Sequence, residues 1–150
     1  MQKAILHIDP WHLRMKITYT KELLAQMALF SRETGALLKD SFEIEDTLYF
    51  IIEPGDMGKA IGKQGRVVKE LQFKLKKRIR LIEYNPDVVQ FIANIIYPLK
   101  ADISEKDGNI IIKSPDRAIK GQLIGRNAKN LNMLGDVAKR YFGIKEIFIE

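Results

Sequence analysis

Laying Ile61-Gly62-Lys63 over Ile124-Gly125-Arg126 gives an offset of 63 residues and also brings Gly58 onto Gly121. The segments on either side then fall in the same order, so the chain carries an internal repeat of about half its length. At 150 residues it has room for one ordinary domain or two small ones, and the repeat selects two.

Hydrophobic periodicity fills in each copy. In the first, Thr20 caps a predicted helix with Leu23, Leu24, Met27 and Phe30 on one face and Gly35 at its end. "LLKDSFEI" and "TLYFIIE" read as strands around a Glu45-Asp46 turn, and Pro54-Gly55 breaks the second. "DMGKAI" suits a short helix leading into "GKQG". A helix from Arg66 to about Lys77 follows, with Val67, Val68, Leu71 and Leu75 aligned, and "RIRLIEY" is a third strand.

In the second copy Asn85-Pro86 reads as cap and first turn of a helix with Val89, Ile92, Ala93 and Ile96 on one side. "LKADISE" and "NIIIK" form a hairpin about Asp107-Gly108. A short helix and "GRNA" come next, then the helix "LNMLGDVAKRYFG" and the strand "IKEIFIE". The predicted class is α+β, each copy a three-stranded sheet packed against helices. The predicted boundaries are an extension over 1–14, a first domain over 15–84 and a second over 85–150. The join "EYNP" is too short for a flexible linker, so a fixed mutual orientation is expected.

Composition narrows the function. Hydrophobic residues at 46% and charged residues at 29% suit a globular chain. No run of about 18 apolar residues suggests a membrane span, and no signal peptide is indicated. The absence of cysteine removes disulfides, thiolate nucleophiles and cysteine-ligated zinc, and fits a cytoplasmic location. The net charge is +6, yet residues 58–80 alone carry nine cations against Glu70, a local +8. A local excess larger than the total favours a polyanionic partner over a merely solvated face.

Three phosphate-binding patterns compete for the glycine-rich stretch. A Walker loop fails because position 53 is Glu and position 60 is Ala, where a glycine and a magnesium-binding hydroxyl are needed. A dinucleotide fingerprint fails because Gly58, Gly62 and Gly65 are spaced four then three. The third pattern, G-x-x-G between two helices, is met by Gly62-Lys63-Gln64-Gly65. Glycine lets a sugar-phosphate backbone approach, and the amides opening the next helix favour an anion. Gly55-Asp56-Met57-Gly58 has the same bare form, so specificity comes from the helix–loop–helix setting and its recurrence.

This layout resembles a KH domain of the type II order, whose loop clamps about four single-stranded nucleotides. From Met15 onward the chain is more closely similar to the archaeal NusA-like transcription termination/antitermination proteins, which are tandem KH pairs. "MKITYTKE", "ALFSRETGA", "EPGDMGKAIGKQGRVVKEL", "EYN" and "GQLIGRNAKN" carry the resemblance. It implies single-stranded RNA contacts by Lys59, Ile61, Gly62, Lys63, Gln64, Gly65, Arg66 and Lys69. In the second copy it implies contacts by Gly125, Arg126, Asn127, Ala128 and Lys129. Ala128 replaces the second glycine there, which predicts a looser hold on phosphate. RNA polymerase is a partner by resemblance only.

Ile61 is expected in the base-accepting groove, while Val67, Val68 and Leu71 are expected in the core. Lys76 and Lys77 are expected to be solvated, and Asp116 and Asp136 to offset a weaker patch of Lys120, Arg126, Lys129, Lys139 and Arg140. His7, His12 and Trp11 fall in the extension and suggest neither a metal site nor a stacking site. No nucleophile–base pair stands out, so the reading is of a binding protein without cofactor or small-molecule substrate. The rivals are a KH protein of ribosome or ribonucleoprotein assembly, a protein-binding scaffold, and a nucleotide-binding enzyme using the Gly58–Gly65 loop.

Overall fold

A computed structural model describes residues 4–7, as backbone, and 19–150. Its contacts divide the chain into two compact units, one within 15–85 and the other over 86–150 together with residues 4–7. The expectations for Trp11 and His12 lie outside the described residues.

In the first unit helix α1 spans Lys21–Thr34. The Thr20 hydroxyl accepts from the Leu23 N–H at 3.1 Å, and Gly35, at φ 70°, ends the helix by donating to the Ser31 carbonyl. Strands β2 (Leu38–Ile44) and β3 (Thr47–Ile52) are antiparallel, and β4 (Arg78–Glu83) lies parallel to β3 on its other side. A parallel third strand needs a crossover, and the segment between β3 and β4 supplies it: α2 (Met57–Ile61), a single 3-10 turn and α3 (Arg66–Leu75). The core lies where these helices meet the sheet. Leu48, Phe50 and Ile52 alternate along β3 toward Leu23, Phe30, Ala60 and Leu71, and the Phe30 and Phe50 rings stack with centroids 4.1 Å apart.

Leu24 departs from the sequence reading, since it is half exposed and Gln26 is buried in its place. The inward stripe of α1 runs through Leu23, Gln26, Met27 and Phe30, and Leu24 sits about 100° from Leu23 on a helix of 3.6 residues per turn.

The second unit repeats the topology. Helix α4 (Val88–Ile96) precedes the hairpin β5 (Asp102–Lys106) and β6 (Asn109–Lys113), and α5 (Arg117–Ile124) and α6 (Lys129–Tyr141) lead to β7 (Glu146–Ile149), parallel to β6. The cap of α4 is Asp87 rather than Asn85, because its carboxylate accepts the Val89 N–H at 3.2 Å. The helix therefore starts after Pro86 and buries Val88, Phe91, Ile92, Ile95 and Ile96, leaving Val89 and Ala93 only half-buried.

Strand β1 (Ala4–His7) pairs antiparallel with β7 and gives the second sheet a fourth strand, in the order β1-β7-β6-β5.

Candidate nucleic-acid interface

Gly62 turns the chain out of α2 at φ 74°, ψ 176°, a conformation open essentially to glycine alone. A Cβ here would lie 2.4 Å from Val67 Cγ2, so α3 packs directly beneath the loop. Gln64 and Gly65 are then both left-handed, at φ 56° and 71°. The Arg66 N–H closes the turn onto the Lys63 carbonyl. Two consecutive left-handed residues push the tips of Lys63 and Gln64 into solvent, and both are exposed.

The second loop copies this backbone. Gly125 stands at φ 75°, ψ 171°, Asn127 at φ 55° and Ala128 at φ 59°. Ala128 thus holds the left-handed conformation of Gly65, and what it adds is one methyl group. Asn130 takes the place of Val67 beneath the loop: its side chain would meet a Gly125 Cβ at 2.8 Å, and its amide donates to the Gln122 carbonyl at 2.7 Å. Neither α3 nor α6 has a side-chain cap or an acidic residue in its first turn, so no carboxylate of its own offsets the positive dipole end that each presents beside its loop.

The cations divide by partner. Lys59 sits 3.9 Å from Asp56, and Arg66 Nε donates to Glu70 at 3.1 Å while staying 80% exposed. Lys63 and Lys69 are exposed, and neither forms an ion pair among the described residues. The stem of Lys69 leans back toward the loop, its Cε 3.8 Å from where a Gly65 Cβ would be. Ile61, at the end of α2, is 38% exposed beside them. The first loop thus gathers unpaired positive charge, the amide end of one helix and one apolar side chain. In the second loop Arg126 is exposed and forms no ion pair among the described residues, Asn127 and Lys129 are exposed, and Asn132 stands where the first copy has Lys69.

Residues 26–97 match the model of the KH domain family. Proteins named probable transcription termination protein NusA resemble the chain over most of its length. That of Methanococcus vannielii is 35% identical over 89% of this chain and 79% of its own. That of Halococcus morrhuae is 32% identical over 89% and 98%. The chain belongs to the archaeal NusA family. The solved structure titled "Crystal structure of APE1850" is similar at a TM-score of 0.70 and 29% identity, covering 87% of this chain and 99% of that one. A match of that extent takes in both units, and tandem KH domains are the architecture.

Within this NusA-family chain several charges do not stand where the sequence reading put them. Lys77 is not solvated: it is 23% exposed and bridges Glu43 at 3.1 Å and Glu22 at 3.5 Å, since the α3–β4 turn carries it back over the unit. Asp116 is the cap of α5, accepting the Ala118 and Ile119 N–H groups. Asp136 is buried, 8% exposed, so it does not act as an offsetting surface charge. The sequence reading also missed Asn130 as the residue under the second loop. The 63-residue offset that pairs it with Val67 was the signal available.

Proposed function

We propose that this protein binds single-stranded RNA through its G-x-x-G loop at Gly62–Gly65 and the matching loop at Gly125–Ala128 in transcription elongation, termination or antitermination. The observation that carries the reading is the pair of equivalent loops, each locked from below and each presenting exposed side chains at an uncapped helix start. The basic segment draws the strand in by long-range attraction. Gly62 and Gly65 let the sugar-phosphate backbone come close while Lys63, Arg66 and Lys69 neutralise it and Gln64 donates hydrogen bonds to it, and Ile61 offers the adjoining apolar edge for bases. Gly125, Arg126, Asn127, Ala128 and Lys129 repeat the arrangement with less charge. Such a protein binds rather than catalyses. A role in termination implies nascent RNA as the ligand and RNA polymerase as a neighbouring partner.

A KH groove reads unstacked bases, so single-stranded RNA should bind more tightly than a duplex of equal length at moderate salt. Fluorescence anisotropy with the two probes checks this. Equal affinities would reduce the interface to a nonspecific basic patch.

A further inference from the structure

Phe73 is 85% exposed on α3, the most exposed large apolar side chain among those described, and its ring makes no stacking or cation–π contact among the described residues. A lone exposed apolar residue carries no meaning by itself. Its setting gives it one. On the wheel of α3, Leu71, Val67 and Leu75 face the core, and Phe73 stands at the opposite pole between Arg66 and Lys69, with Lys76 just beyond the helix end. Lys69 and Lys76 are exposed and form no ion pair among the described residues, and Glu70, the one acidic residue of α3, is engaged by Arg66. Counting up the helix at 1.5 Å per residue, Phe73 lies about 10 Å from the start of α3 at Arg66, within reach of the same strand.

The repeat makes the feature particular to one copy. At the matching position, 63 residues on, stands Asp136, which is buried. The fold therefore does not require an exposed apolar side chain at this place in α3. A protein-docking patch would want neighbouring apolar area around the ring, and the flanking positions 69, 70, 74 and 76 are all charged. An aromatic face among cations suits a nucleobase stacked on the ring with its phosphates on the lysines.

We infer that Phe73 is a base-stacking platform that extends the first RNA site from the Gly62–Gly65 loop along the outer face of α3. The inference rests on the RNA-binding reading above. Stacking is worth about 1–3 kcal/mol per base, so Phe73→Ala should weaken binding of an RNA of about 12 nucleotides by about 5- to 150-fold. An RNA of about four nucleotides, enough for the loop alone, should bind unchanged. Phe73→Trp should restore the longer RNA's affinity and Phe73→Leu should not. At 85% exposure none of these changes should disturb the core, and circular dichroism is the check on the fold.

Full affinity for the longer RNA in Phe73→Ala, with Lys63→Asp/Gln64→Asp still defective, would overturn the platform and leave the loop reading standing. Loss in Phe73→Ala with an unaffected loop variant would do the reverse. A Phe73→Trp variant as weak as Phe73→Ala would overturn stacking. So would unchanged RNA affinity combined with lost self-association in sedimentation, which would assign the face to a second copy.

Discussion

The two glycines of the first loop serve different ends. Gly62 combines a glycine-only backbone with a Cβ position 2.4 Å from Val67 Cγ2 and 2.9 Å from its Cβ, so any side chain there must displace α3. Gly65 is merely left-handed, and the nearest atom to a Cβ is 3.8 Å away. Gly62→Ala should therefore cost about 3 kcal/mol or more from strain and overlap together. Gly65→Ala should cost about 1 kcal/mol, the usual left-handed penalty for an L-residue. Ala128, holding φ 59° in the other loop, shows that the fourth position accepts this. Denaturant unfolding of both variants checks the order, and equal losses would contradict it. The G-x-x-G spelling was plain in the sequence, but it weights the glycines alike. Only the packing of Val67 and Asn130 separates a required glycine from a replaceable one.

Among elements, the repeat and its strand pairs were legible because period-two alternation, Asp107-Gly108 and Pro54-Gly55 are local signals. The face of α1, the start of α4 and the strand added by residues 4–7 were not, because tertiary partners decide them. Leu24 and Gln26 differ only in which side meets the sheet. The charge along 58–80 was likewise visible as a sum but not as a set of partners. Lys77 joins α1 to β2 from the α3–β4 turn, through Glu22 and Glu43. Burial pulls its pKa down, but the hydrogen bond and charge of Glu43, with Glu22 behind it, outweigh that and hold it above the ordinary 10.5. A lysine whose folded pKa is raised lends stability that is complete below 10.5 and fades as pH rises through the folded value. Lys77→Met should cost about 1 kcal/mol at neutral pH, as two partly exposed pairs are worth. The gap to the unmutated protein should narrow at alkaline pH above that range. Unfolding curves across pH test it, and a gap independent of pH would show that the stem's packing alone matters.

At the scale of the whole molecule, the loops are alike in backbone and unlike in charge. The expectation that Ala128 loosens the second loop finds no support in its φ/ψ, which match those of Gly65 closely. The difference left is electrostatic: Lys63 and Lys69 form no ion pair among the described residues at the first loop, where the second offers Arg126 and has Asn132 at the position matching Lys69. The most direct test is the affinity of single-stranded RNA, over a salt series, for the unmutated protein, Lys63→Asp/Gln64→Asp and Arg126→Asp/Asn127→Asp. All four side chains are exposed, so both variants should fold. The first should abolish binding and the second should weaken it by less, each lost phosphate contact lowering the salt slope by about 0.7. A folded Lys63→Asp/Gln64→Asp variant that binds RNA as tightly as the unmutated protein, with the same slope, would contradict RNA recognition by the G-x-x-G loop.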